Sequence, residues 1–252
     1  MSGMHTYLLK LGPDMLGGYA TPIDRRIAGS LPSLSVRLRM QDMAQLMVDA
    51  MRVSLSSQPR RPLHFINIAG GPAIDSLNAL ILLQKNDPAT LRDRPVRIDV
   101  LDLDDAGPKF GESALAALSR EGTPLHGIQI AFRHVRYDWS NPADLKPLLD
   151  EARAKNAIVI GSSEGGLFEY GSDDQILGNL EALRSLECFV GSVTRADGPM
   201  QRLQKMSNAA TRPRGLTVFH DLIRASGWDI ARAVERPLSD QVVLVPAHQS
   251  HS

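Results

Sequence analysis

The chain has 252 residues, 28 of them basic and 28 acidic, so its formal charge is zero and nothing marks it as a partner of nucleic acid or of an anionic membrane. A chain of this length buries a core without staples, and the single cysteine, Cys188 in the apolar stretch "LECFVGS", cannot pair within the chain and reads as a buried structural thiol. The start "MSGMHTYLLKLGPDMLGG" has no basic and then apolar leader, and no stretch approaches the roughly 20 apolar residues of a membrane span; a soluble, cytoplasmic protein that handles a small molecule is expected.

In chain order, "PSLSVRLRMQDMAQLMVDAMRV" reads as an amphipathic helix and "SSQPRRP" as a connector. Residues 1–58 are therefore expected to form a helical cover over the ligand edge of a sheet, and residues 59–252 the main domain. Strand signals follow at "LHFINIA", "VRIDVLDL", "IQIAFRHV", "AIVIGS" and "CFVGSV", each short and rich in β-branched residues. Between them lie "AIDSLNALILLQK", "GESALAALSR", "ADLKPLLDEARAK" and "SDDQILGNLEALRSL", whose apolar residues recur at three and four spacing. Such alternation predicts right-handed crossovers and an α/β fold with a Rossmann-like, doubly wound parallel sheet. After a further helix at "LTVFHDLIRAS", the segments "WDIARAV" and "QVVLVPA" flank a Pro-Leu-Ser-Asp turn, the signature of a C-terminal antiparallel hairpin. The last residues, "AHQSHS", read as a disordered tail with little case for metal ligation.

Two strand ends carry the chemistry. The first strand runs into "NIAGGPA", where small residues let the backbone turn tightly and the helix from Ile74 aims its N-terminal amides at a ligand. The second ends in "LDLDD", where Asp102 and Asp104 can accept hydrogen bonds from the two ribose hydroxyls of an adenosine lying across the strand tips. The plainer readings are a Gly-Pro turn and solvated acids, with Asp105 as a helix cap.

"FINIAGG", "VLDLD", "HVRYDW" and "SSEGGLFEY" occur in an order and spacing that resembles the leucine carboxyl methyltransferase family and its relatives among bacterial small-molecule O-methyltransferases, within the class I S-adenosylmethionine-dependent methyltransferases. The likeness covers about residues 37–187. It implies a Rossmann-like fold, S-adenosylmethionine as cofactor and a small-molecule methyl acceptor, with transfer to oxygen. Carried over by position, Asn67, Gly70 and Gly71 would line the methionine part of the cofactor, Asp104 with Asp102 would hold the ribose, and Arg39 would pair with the cofactor carboxylate. Two departures stand out: Ala69 replaces a glycine, and His134 stands where an aspartate usually contacts the adenine, leaving Tyr137, Asp138 and Trp139 to supply stacking and an amino-group acceptor. In this reading the fourth strand delivers Ser162, Ser163 and Glu164 to the pocket rim, with Glu164 on the cofactor's amino end.

"IGSSEGG" also spells Gly-x-Ser-x-Gly, the nucleophile elbow of serine hydrolases, with Asp197 and His220 following in the required order. An elbow needs a helix directly behind the serine, whereas "GGLFEYGS" reads as non-helical until Ser172, an N-cap. A hydrolase using Ser163 and a methyltransferase-like protein that binds without turnover remain as alternatives. If transfer to oxygen uses a general base, His220 in "TVFHDLIR" leads and His134 is second, while Tyr19, Arg25 and Phe168 are candidates to face the acceptor.

Overall fold

The computed structural model describes residues 10, 12, 21–207 and 210–247; Tyr19 and the last five residues of the tail lie outside them. The helices are α1 (Pro22–Ala28), α2 (Leu31–Ser57), α3 (Ile74–Asn86), α4 (Ala106–Leu118), α5 (Lys146–Ala154), α6 (Leu167–Tyr170), α7 (Asp173–Ala182), α8 (Gly198–Ser207) and α9 (Gly215–Ala225). The strands are β1 (Leu63–Ile68), β2 (Val96–Asp102), β3 (Ile130–Arg136), β4 (Ile158–Ser163), β5 (Cys188–Thr194), β6 (Trp228–Glu235) and β7 (Ser239–Pro246).

All seven strands join one sheet in the order β3-β2-β1-β4-β5-β7-β6. The first five are mutually parallel, and β7 inserts antiparallel between β5 and β6. The expected hairpin is therefore present, with β7 on the sheet and β6 at its edge. Strands β1, β4 and β5 are buried along their whole length, which is why they read as near-continuous apolar runs. One set of alternate residues, including Leu63, Phe65, Ile158, Ile160 and Val190, packs under α2, α3 and α4. The opposite set, including Ile66, Ile68, Val159 and Phe189, packs with Phe168, Ile176, Phe219 and Trp228.

Two expectations need correction. Residues 31–57 are not a cover set over the ligand edge: Met43, Leu46, Met47, Met51 and Leu55 of α2 lie in the same core as β1, β4 and α3. Only the first turns of α2 reach the strand ends, and there the polarity inverts, with Leu31, Leu34 and Leu38 exposed and Ser33, Ser35 and Arg39 buried. Likewise, "ADLKPLLDEARAK" divides into a 3-10 turn, Pro142–Leu145, and α5, because Pro147 lacks the amide that a continuous helix would use. Among the described residues no helix is long and apolar enough to cross a membrane.

Candidate functional site

The turn between β1 and α3 is unusual in its backbone. Ala69, Gly71 and Ala73 all adopt left-handed conformations, with φ of 51°, 50° and 52°. Glycine reaches that region freely, whereas alanine does so at a cost of roughly 1–2 kcal/mol per residue. The start of α4 presses on this turn: a Cβ on Gly107 would fall 2.7 Å from Gly71 Cα, so glycine is required for the approach. Beneath the turn, Asn67 is fully buried and donates through Nδ2 to Asp75 Oδ1 at 2.5 Å and Ser76 Oγ at 3.3 Å. Asn67 and Ser162, expected at the pocket wall, thus lie one layer below it, while Gly70 and Gly71 line the cavity themselves.

At the end of β2, Asp102 and Asp104 both line the same cavity. Asp102 Oδ2 accepts from the Gly71 amide at 3.0 Å, and its Oδ1 from the Asp104 amide at 3.0 Å, so this carboxylate braces the glycine turn from the neighbouring strand. Asp104 Oδ1 accepts from the Ala106 amide at 2.9 Å and takes the capping part expected of Asp105, which pairs with Lys109 instead. Tyr137 and Trp139 complete this side of the cavity. The Tyr137 hydroxyl donates to Asn179 Oδ1 at 2.5 Å, and burial raises its pKa above the ordinary phenol range. His134 and Asp138 are not brought in. The His134 ring donates from Nε2 to the Asp102 carbonyl at 3.0 Å outside the cavity, and Asp138 turns to the Ser140 amide at 2.8 Å.

Opposite the acids lies a buried charge cluster. Arg39, 8% exposed, donates from Nε to Glu164 Oε1 at 3.3 Å and from Nη1 to Glu169 Oε1 at 2.9 Å. Lys10 donates to the other Glu164 oxygen, and Thr194 Oγ1 donates to Glu169 Oε1 at 2.9 Å. Burial opposes the charge on Arg39, but Glu169 and Glu164 outweigh it and hold the guanidinium above its ordinary range. Burial opposes ionisation of Glu164 too, yet Lys10 and Arg39 hold its carboxyl below the usual range. Two cations and two carboxylates therefore neutralise one another around one wall. Sequence reasoning named Arg39 and Glu164 but missed Lys10, Glu169 and Gly107; Glu169 sits inside "SSEGGLFEY", whereas Lys10 carries no local signal.

Ser163 does not have the surroundings of a nucleophile. It is fully buried, its Oγ accepts from the Leu167 amide at 3.0 Å, and its φ is not positive. A short helix, α6, does begin behind it, contrary to the non-helical reading, and Ser163 serves that turn as an internal acceptor. Ser172 caps α7 as expected. His220 lies on α9 with Nδ1 4.0 Å from Asp221, and no histidine lines the cavity among the described residues. Phe168 is in the core against Phe189 and Phe219, and Arg25 is on the exposed side of α1, so neither faces the cavity.

No family model matches the sequence, and no curated protein matches it. Solved structures do. The magnesium protoporphyrin IX methyltransferase of Synechocystis PCC 6803, with bound SAH, superposes with a TM-score of 0.55 at 14% identity, over 88% of this chain and 92% of that one. This chain shares the Rossmann-like fold of that enzyme. An O-methyltransferase family protein from Burkholderia thailandensis gives a TM-score of 0.54 at 11% identity, over 92% of this chain and 62% of that one. The pyocyanin biosynthetic protein PhzM gives 0.50 at 16% identity, over 98% and 62%. At these identities the likeness is one of fold, and this chain spans less than two thirds of the last two proteins.

Proposed function

We propose that the chain is an S-adenosylmethionine-dependent methyltransferase acting on a small molecule at an oxygen atom. One observation carries the reading: a single cavity at the carboxyl ends of β1, β2 and β4 has an acid pair on one wall and a balanced cation–carboxylate cluster on the other, with the Gly70–Gly71 backbone between them. The chemistry of that donor set fits a nucleoside bearing an amino-acid tail. Asp104, with Asp102 bracing it, would accept from the ribose hydroxyls, and Tyr137 and Trp139 would flank the base. Arg39 and Lys10 offer positive charge to a carboxylate, and Glu164 and Glu169 offer negative charge to an ammonium. The fold neighbours include one solved with bound SAH and an O-methyltransferase family protein, which supports the cofactor and the oxygen acceptor.

When bound, this cofactor supplies its own electrophilic methyl, so the chain's part is to align an acceptor in line with the sulfonium and to exclude water. No buried histidine is needed for that when the acceptor is already ionised. Titration calorimetry with S-adenosylhomocysteine tests the reading. Binding with a dissociation constant in the micromolar range is expected, and Asp104→Ala should weaken it by about tenfold or more, near 1.4 kcal/mol. An Asp104→Ala titration that overlays the wild type removes the ribose assignment; no binding to wild type removes the cofactor.

A further inference from the structure

One buried amide on α7 bonds to both aromatic residues of the cavity wall. Asn179 is 0% exposed, and its Oδ1 accepts from the Tyr137 hydroxyl at 2.5 Å. Its Nδ2 donates to the Trp139 carbonyl at 2.8 Å and to the Gln175 carbonyl at 2.7 Å. Carbonyls only accept, so the amide has one possible orientation and the Tyr137 hydroxyl is the donor. Tyr137 and Trp139 line the cavity, whereas Asn179 does not. The Tyr137 hydroxyl is therefore engaged away from the ligand, and what Tyr137 offers a ligand is its ring.

The rest of α7 holds the same loop. Gln175 accepts from the Ser172 amide in the capping box at the start of the helix, and its Nε2 donates to Ser140 Oγ at 2.7 Å. A Cβ on Gly178 would fall 3.0 Å from Pro142 Cγ, so the helix lies directly against the loop that follows β3. Of these contacts, the Asn179 amide is the one that bonds to the two residues facing the cavity. Asparagine suits the position, because its short side chain carries two donors and an acceptor, and all three capacities are used. Without the amide, a hydroxyl and a carbonyl are left unpaired in a dry interior and must shift to find partners.

Resting on the cofactor reading above, we propose that Asn179 is a positioning residue for recognition of the base: its one amide holds the Tyr137 ring and the Trp139 main chain together, so the base contributes to affinity through Asn179 although Asn179 does not touch it.

The full chain is titrated in a calorimeter with S-adenosylhomocysteine and with S-ribosylhomocysteine, which keeps the sugar and the amino-acid tail but has a hydroxyl in place of the base. Wild type should prefer the first by about tenfold or more, the scale of stacking one base on aromatic side chains. Asn179→Ala should lower that preference by about threefold or more and leave the affinity for S-ribosylhomocysteine unchanged. Tyr137→Phe keeps the ring and removes only its bond to Asn179, so it should lower the preference in the same direction, and it decides alone if Asn179→Ala does not fold. An equal loss for both ligands means that Asn179 supports the fold and not the base, and it overturns the proposal, as does a preference unchanged in Tyr137→Phe. Wild type that binds both ligands equally overturns the assignment of the base to Tyr137 and Trp139, and the proposal with it. Wild type that binds neither removes the cofactor reading itself.

Discussion

At the scale of single residues, Arg39 shows how burial changes the meaning of a charge. From sequence it is one arginine on an amphipathic helix; in the fold it is the direct partner of both Glu164 and Glu169. Removing one member of a buried ion pair leaves its partners uncompensated, at a cost of about 3 to 5 kcal/mol. Arg39→Ala should therefore lose stability of that order at pH 7 by urea unfolding. Without the cation the depressed folded pKa of Glu164 rises, so the lost stability should return as pH falls towards 4; a deficit independent of pH would mean that Arg39 acts by packing alone. Ala69 is a second case. Its φ of 51° is strained for alanine, and a Cβ on Gly166 would fall 2.2 Å from its methyl, so that methyl fills the gap between the β1 turn and the β4 loop. Ala69→Gly should raise thermal stability by about 1 kcal/mol yet weaken S-adenosylhomocysteine in calorimetry. If affinity does not change, the methyl has no part in shaping the cavity. Asp102 and Asp104 were legible because strand ends and carboxylates are both local signals. Lys10 and Glu169 were not, since each matters through a partner far along the chain.

At the scale of elements, periodicity located every strand of the sheet, and what it missed follows from tertiary contacts. The amphipathic pattern of α2 identified its C-terminal half, which faces the core. Its N-terminal half inverts because Arg39 must reach Glu164, a demand set by β4 and invisible in the helix itself. A similar demand explains acids and bases inside β1, β2 and β3. Asp99 on β2 has no exposed surface and accepts from His64 at 2.8 Å, from Arg97 Nε at 3.0 Å, and from Arg133 Nε and Nη2 at 2.8 Å each. Burial opposes its ionisation, but the bonds from His64 and Arg133 outweigh that and hold the carboxyl far below its usual range. With a depressed folded pKa, the stabilisation is present above the unfolded value, near 4, and is lost as pH falls through the folded one. Asp99→Asn should accordingly cost about 3 to 5 kcal/mol at pH 7, and its stability should change less than that of wild type below pH 4. Parallel acid-unfolding curves for the two would show that Asp99 does not carry the acid sensitivity.

At the scale of the whole molecule, the sheet order and the two helical layers decide which part of the chain is separable. The connector "SSQPRRP" suggested a boundary near residue 58, and composition alone supports one. The packing does not. Removing α2 would uncover Ile160, Cys188, Val190 and Val243, all at most 5% exposed, on the face where it lies. It would also free Arg94, whose Nη2 donates to the Leu55 carbonyl at 2.9 Å, and Arg236, which grips Asp42 through two bonds of 2.7 and 2.8 Å. Burying one large apolar side chain stabilises by roughly 1.5 to 3 kcal/mol, and α2 contributes six such residues to the core, Met43, Leu46, Met47, Val48, Met51 and Leu55. Together they contribute roughly 9 to 18 kcal/mol, as much as the roughly 5 to 15 kcal/mol that holds an ordinary domain folded, so the loss of all six should leave no stable remainder. A chain beginning at residue 59 is expected to lack a cooperative thermal transition and to bind an apolar dye. The milder change Met47→Ala should cost about 2 to 5 kcal/mol while keeping a single transition. A shortened chain that melts cooperatively and still binds S-adenosylhomocysteine would restore the boundary near residue 58 and make α2 an accessory to an independent sheet.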